Sequence, residues 1–385
     1  HFRGGAALDP VGKEGLAYMV SGLLDEGAGE LDSRAFRTEL EDLAIRLSFD
    51  AGRDEFTGQL KTLTEHRARA FELLRLALTQ ARFDDEPVER IRSQIQASLR
   101  RRAEDPDYVA SVTWFEKGFA NHPYGRPVQG TAESVAAITK DDLRQFVARR
   151  IAKDDLIIGV AGDITAEELA PLLDQTFGDL PATSAPIDIR ATTPAGGRTI
   201  TVRRDIPQSQ VMFGEAGLAR ADPDFYAAYV ANHILGGGGF TSRLTEEVRE
   251  KRGLAYSVYS YLYPADFAPI WIGGLGTTNA SVAEALRLVR QEVERMGRGE
   301  VGQSELDDAK TYLTGSFPLR LTSNDSIAAM LVSMQVNELG AEYLEKRNGY
   351  IEAVTLEDVK RVAARLYHAD KLLVVVVGDP SGLQG

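Results

Sequence analysis

The sequence predicts an α+β fold of two homologous domains, each a mixed or antiparallel sheet packed with helices. Three observations predict it. The chain repeats itself with a period of about half its length, far too long for a solenoid. Hairpin patterns are followed by amphipathic helical patterns in each copy. A segment without sustained periodicity separates the copies.

The repeat is clearest between residues 138–164, ITKDDLRQFVARRIAKDDLIIGVAGDI, and residues 354–380, VTLEDVKRVAARLYHADKLLVVVVGDP. Thr139 matches Thr355, Asp142 matches Asp358, and Gly162-Asp163 matches Gly378-Asp379. Each copy reads as a capped helix leading into a buried strand that ends in Gly-Asp. The Thr and the acid three residues later form a capping-box pattern that satisfies free N–H groups of the first turn. Residues 7–29 likewise parallel residues 220–242. Between the copies, 181–197 reads PATSAPIDIRATTPAGG, rich in Pro, Ala, Thr and Gly. The division is therefore a first domain at 1–183, a linker at 184–197 and a second domain at 198–385.

In copy one, helices are expected at 15–24 and 33–43, then strands at 45–51 and 55–64 joined at Gly52. Helices follow at 67–80 and at 87–103, with Pro87 in the first turn. Copy two repeats the order, with a helix at 225–235, strands at 254–263 and 268–275, and a helix at 282–296. Ser281 and Glu284 predict a capping box there. A further helix covers 305–317. The apolar run 372–377 is a buried strand by length and β-branching. The opening HFRGGAALDP reads as the tail of a strand and a loop, so the chain is expected to begin inside a domain.

Composition narrows the function classes. The 385 residues are 43% apolar and 26% charged, a globular balance with room for two ordinary cores. No run reaches the roughly 18 apolar residues of a membrane helix, so no membrane partner is expected. The net charge of −13 argues against nucleic acid and is compatible with a cationic peptide. With no cysteine, the chain has no disulfide, Cys-ligated zinc or thiol catalysis. The five histidines fall in neither H-E-x-x-H nor H-x-x-E-H, and no Gly-x-Ser-x-Gly elbow occurs.

The most informative stretch is 235–261, LGGGGFTSRLTEEVREKRGLAYSVYSY. The run Gly236, Gly237, Gly238 and Gly239 lacks both the lysine of a phosphate loop and dinucleotide spacing. It reads either as a tightly packed connection or as a mobile loop that handles an extended peptide. Ser242 is placed to cap the next helix, with Glu246 and Glu247 suiting its positive end. Gly253 ends that helix, and a turn there brings Arg249 and Tyr256 side by side. Leu254, Tyr256, Val258 and Ser260 share one side of the ensuing strand by period. Composition alone is also satisfied by a surface Arg249 and a half-buried Tyr256.

This stretch resembles the second-domain signature of the pitrilysin/insulinase family of zinc peptidases, whose members include mitochondrial processing peptidase. DPVGKEGLA, HPYGRPVQGTAESV, ITKDDL and both Gly-Asp strand ends fit the same pattern, so the resemblance covers nearly the whole chain. Active members carry H-x-x-E-H in the first domain. Aligned on Gly15-Leu16-Ala17, that motif falls on Tyr-Met-Val-Ser-Gly: Tyr18 and Gly22 replace the histidines and Ser21 replaces the general-base glutamate. The third ligand position falls near Ser98. Zinc needs imidazoles and a carboxylate, so this chain is not expected to hold it.

The family's Arg/Tyr pair maps onto Arg249 and Tyr256, seven residues apart, whereas copy one has Glu41 and Ser48. The resemblance implies that the arginine holds a substrate backbone carbonyl and the tyrosine donates to the oxyanion of the tetrahedral intermediate. It implies a split enzyme: this chain, inactive alone, is the non-zinc subunit of a hetero-oligomeric metalloendopeptidase. A homologous partner with an intact H-x-x-E-H motif supplies zinc, and the two close around a peptide. The alternatives are a non-enzymatic, core-protein-like subunit and a peptide-binding homodimer. Bacterial periplasm and cytoplasm both fit.

Overall fold

The structure, a computed structural model, describes residues 1–383. Its strands are β1 (Phe2–Arg3), β2 (Arg46–Ala51), β3 (Glu55–Lys61), β4 (Arg198–Arg203), β5 (Gln208–Ala216), β6 (Ala255–Tyr263), β7 (Ile270–Thr278) and β8 (Leu373–Gly378). The helices of the first half are α1 (Leu16–Ser21), α2 (Ser33–Asp42), α3 (Arg67–Thr79), α4 (Asp85–Arg102), α5 (Pro106–Gly118), α6 (Ala132–Ala137), α7 (Lys140–Arg150) and α8 (Ala166–Phe177). Those of the second are α9 (Phe225–Asn232), α10 (Val282–Gly297), α11 (Gln303–Gly315), α12 (Asn324–Val336), α13 (Tyr343–Glu352) and α14 (Leu356–Leu366).

Local capping sets the repeated helices. Thr139 accepts from the Asp142 N–H at 3.2 Å and the Asp142 carboxylate accepts from Thr139 N–H at 2.7 Å. Thr355 and Asp358 repeat this at 3.1 and 3.0 Å. The expected box at Ser281 and Glu284 does not form. Ser281 already has φ −96° and ψ −8°, near the helical region, so its hydroxyl does not reach back to the first turn. It contacts the Thr278 hydroxyl at 3.0 Å, while Glu284 pairs with Arg287 at 2.7 Å.

Packing divides the chain differently from the linear division about 184–197. The linker region 181–197 carries neither helix nor strand. One compact unit nevertheless comprises His1–Arg102, Arg126–Asp188 and Ser323–Val336; the other comprises Ala103–Gly125, Ile189–Thr322 and the described residues from Asn337 to Leu383. Each half of the sequence lends a helix, α5 or α12, to the unit built mainly from the other half.

In the first unit an antiparallel sheet is ordered β1-β3-β2. Met19, Val20 and Leu24 pack with Phe2, Phe56 and Ile91 in its core. The buried strand expected before Gly162-Asp163 is not formed. β1 supplies only two residues, and pairing stops at Ile157 N–H to His1 O (2.8 Å) and a single bridge from Phe2 to Leu156. Beyond it, α12 takes over: Gln335 donates to Ile158 O at 2.9 Å, and a Cβ on Gly159 would lie 2.4 Å from Ala328 O.

The second unit holds a five-stranded sheet ordered β4-β8-β5-β7-β6, parallel only between β4 and β8. β8 is buried along its whole length, as its apolar run predicts. Residues of α9, α10 and α14 share a core with Val211, Phe213, Leu275, Val374 and Val376. α5 covers β5 and β8: the Trp114 indole donates to Leu373 O at 3.0 Å, and its ring lies where a side chain on Gly214 would begin.

Candidate functional site

The Arg/Tyr stretch lies wholly in the second unit, at the β6 end of its sheet. Strand alternation alone would put Tyr256 with Val258 and Ser260. The structure corrects this expectation. The β6–β7 register shifts between Ala255 and Ser257, a bulge that leaves Tyr256 unpaired. Such a bulge re-aims one side chain. Ala255, Val258 and Ser260 face the core, while Tyr256 is 83% exposed. Its hydroxyl has no hydrogen-bond partner among the described residues.

The glycine run is chiefly a packing device. α9 widens into a π-turn at His233–Gly237, and a second π-turn spans Thr245–Glu250. π-bulges of this kind recur at functional sites. A Cβ on Gly236 would lie 2.4 Å from the Ser260 hydroxyl and 2.9 Å from Ser260 N. One on Gly237 would lie 2.7 Å from Asn232 Nδ2. The absence of side chains lets this backbone come against the β6 edge, which would otherwise present unpaired main chain. Asn232 fastens the contact: its Oδ1 accepts from Ser260 Oγ (2.8 Å) and Trp271 Nε1 (2.9 Å), and its Nδ2 donates to Ser260 O (3.2 Å). Thr245 Oγ1 donates to Val258 O at 3.3 Å. Gly239 differs: it has φ +59° and open space around it.

Ser242 also departs from its predicted role. Its hydroxyl donates to Gly239 O at 2.9 Å and contacts Thr245 Oγ1 at 3.0 Å, tying down the glycine turn instead of accepting from the helix. Gly253 ends the second π-turn with φ +64°. Its N–H donates to Arg249 O at 2.7 Å, and the Leu254 N–H donates to Val248 O at 2.9 Å. That reversal carries the chain from Arg249 into the strand bearing Tyr256.

The Arg249 guanidinium sits over the Phe240 ring, 4.8 Å from its centroid. Its Nε is 3.5 Å from a Glu250 carboxylate oxygen, and the side chain is 36% exposed. Phe240 itself is 69% exposed. A guanidinium held on an aromatic face keeps its in-plane N–H groups directed outward. The site therefore offers a cation with several donors and an uncommitted phenol. Phe240, Asn232 and Ser260 did not emerge from the sequence as site residues. The available signal was an aromatic residue inside an otherwise small and polar loop, GGGGFTS.

The degenerate zinc positions lie in the first unit. Tyr18, half-buried, and Ser21 are on α1, and the Ser21 hydroxyl donates to Tyr18 O at 2.8 Å. Gly22 packs toward α4, where a Cβ would lie 3.4 Å from Ile91 Cγ2. Ser98 is a half-buried residue of α4. These positions supply no imidazole or carboxylate, so the donor set does not fit zinc. Nearby Glu26 is committed to Arg90 (2.6 Å) and Arg37 (2.8 Å). Asp25 is pushed up to about 6, first by burial and then by Glu26. In copy one, Glu41 belongs to α2 and Ser48 to β2, opposite Gln59.

Residues 1–132 match the family model described as Insulinase (Peptidase family M16), and residues 137–313 match the one described as Peptidase M16 inactive domain. The chain is also 32% identical over 331 residues to the "Non-peptidase homolog YmxG" of Helicobacter pylori, covering 86% of this chain and 76% of that protein. The chain belongs to peptidase family M16. The crystal structure of a peptidase M16 inactive domain from Pseudomonas fluorescens superposes on this M16 chain with TM-score 0.92 at 30% identity, covering 100% of this chain and 92% of that one. An uncharacterized zinc protease of Bacillus subtilis is 24% identical over 96% of this chain and 89% of its own length. The model matched over residues 137–313 and the Pseudomonas structure are both of the inactive-domain type, and this M16 chain is a homologue of that type.

Proposed function

We propose that this chain is the zinc-free subunit of a two-subunit peptidase. In this reading Arg249 and Tyr256 bind peptide and stabilise the tetrahedral intermediate. The observation that carries it is the exposure of Tyr256 at its bulge, reached by one turn from an Arg249 held on Phe240. A surface tyrosine with a purely structural role would be packed along the strand like Val258. Arg249 would donate to a peptide carbonyl, and Tyr256 would donate its hydroxyl proton in a hydrogen bond to the developing oxyanion. A phenol hydroxyl suits this role because it can donate a hydrogen bond without carrying charge. The metal and the general base would belong to a homologous partner with an intact H-x-x-E-H motif.

The test is reconstitution. The chain, a homologous zinc-motif subunit and their mixture are assayed on an unfolded peptide, with and without a zinc chelator. Hydrolysis only by the mixture, lost on chelation and depressed by Tyr256→Phe without loss of assembly, supports the reading. Full turnover by the Tyr256→Phe complex at saturating subunit removes the tyrosine's role.

A further inference from the structure

The open end of the glycine run has a geometry that the packing role does not use. Gly238 has φ −84° and ψ 14°, and Gly239 follows with φ +59°. A right-handed residue followed by a left-handed one turns successive N–H groups toward a common point, the concavity that binds anions. Among the described residues the N–H groups of Gly239 and Phe240 have no hydrogen-bond partner; the turn's bonds are Thr241 N–H to Gly238 O and Ser242 N–H to Gly239 O. Nothing lies within 4 Å of a Cβ built on Gly239, so the turn is open to a ligand.

A second, independent observation points the same way. His233 is only 8% exposed, yet neither ring nitrogen has a hydrogen-bond partner among the described residues. Its ring stacks on Tyr312, 5.1 Å away at 26°. Its Nε2 edge is aimed at Gly238, 3.2 Å from where a Cβ would stand. Burial lowers the pKa of this imidazole, so it is a neutral ring with one N–H to offer. Arg249 adjoins the same turn, its guanidinium over the Phe240 ring. Glu246 and Glu247 are neutralised by Lys251 at 2.9 and 2.7 Å, and Glu247 also pairs with Arg252 at 2.6 Å.

We infer that the Gly238–Phe240 turn, with His233 beneath it and Arg249 beside it, is a carboxylate-binding subsite for a bound peptide. The carboxylate comes from the peptide's C-terminus or from an acidic side chain; both present the same two oxygens to N–H donors and a guanidinium. The inference deepens the function proposed above, since it takes the bound molecule to be a peptide. The subsite itself needs no partner subunit, so it can be tested apart from hydrolysis.

The experiment is a fluorescence-anisotropy titration of the purified chain with a short fluorescein-labelled peptide of Ala, Ser and Leu. Three forms are compared: the free acid, the C-terminal amide, and the amide with one internal Asp. The free acid or the Asp-containing amide is expected to bind about tenfold more tightly than the plain amide, the scale of one charge-assisted hydrogen bond. Whichever form binds tightly identifies the source of the carboxylate. Gly239→Val disfavours the left-handed turn without a steric clash, and His233→Phe keeps the stack on Tyr312 while removing the N–H; each should bring the affinity ratio toward one. Equal affinity for all three forms, or a preference untouched by both variants, overturns the subsite while leaving peptide handling intact. Failure of every form to bind also overturns the subsite, and the reconstitution assay then decides the peptidase role separately.

Discussion

Gly236→Ala and Gly239→Ala are three residues apart, yet their effects should differ sharply. At Gly236 the new methyl would stand 2.4 Å from the Ser260 hydroxyl, 2.9 Å from Leu244 Cδ1 and 2.9 Å from the Ser260 nitrogen. The last atom belongs to the backbone of β6, so relief requires the π-turn to leave the sheet edge. Overpacking of this kind costs about 3 kcal/mol at the upper end of its usual range. Loss of glycine's freedom in the unfolded chain returns about 1 kcal/mol, leaving a net destabilisation of about 2 kcal/mol. At Gly239 the methyl meets nothing within 4 Å, but φ is +59°. A left-handed alanine costs about 1–2 kcal/mol. The same unfolded-state gain reduces the net to about 1 kcal/mol or less. The assay is urea unfolding followed by tryptophan fluorescence. The chain has two tryptophans, Trp114 and Trp271, both fully buried in the second unit, so the signal reports that unit alone. Equal losses in the two variants, or a larger loss for Gly239→Ala, would refute the assignment of Gly236 to packing on β6.

Three further outcomes are expected. Tyr256→Phe should lower kcat of a reconstituted peptidase about 100–1000-fold, with the unfolding midpoint of the chain unchanged because the exposed hydroxyl has no hydrogen-bond partner among the described residues; a lowered midpoint would show a structural role instead. Asn232→Leu leaves the buried Trp271 N–H and the Ser260 hydroxyl and carbonyl without their partner, at a cost of about 3 kcal/mol and with a shifted tryptophan emission; unchanged emission and stability would count against the network. Burial pushes Asp9 up to about 7, against the opposing N–H groups of Ala17, Gly15 and Leu16 and the Arg126 charge. Its folded pKa is raised, so its contribution to stability is complete below the unfolded value of about 4 and is lost as pH rises to about 7. Asp9→Asn should flatten that part of the stability profile, and a carbon-13 titration of Asp9 centred near 4 would contradict the shift.

Much of the architecture was legible because it is set locally. The T-x-x-D patterns at Thr139 and Thr355 form the boxes they predict, since both partners lie within one helical turn. The Leu-Val-rich run became the buried β8 because it has neighbours on both sides. The similar run at 156–162 did not become a strand, although its sequence repeats the same pattern. Its ladder partner β1 is two residues long, and strand formation depends on pairing as well as propensity. Ser281 and Glu284 failed for another reason: residue types at cap spacing do not form a box unless the backbone enters the helix extended.

The sequence by itself determined the two-copy α+β organisation, the membership in an M16-like pattern, the chemical unfitness of Tyr18, Ser21, Gly22 and Ser98 for zinc, and the presence of Arg249 and Tyr256 either side of a glycine stop. These follow from residue identity and short-range spacing. Tertiary structure decided which unit each helix joins, the bulge that turns Tyr256 outward, and the division of the glycine run between Gly236 against Ser260 and Gly239 in open space. Those outcomes depend on contacts between segments far apart in the chain, where a single residue of register or one close backbone approach changes which way a side chain faces.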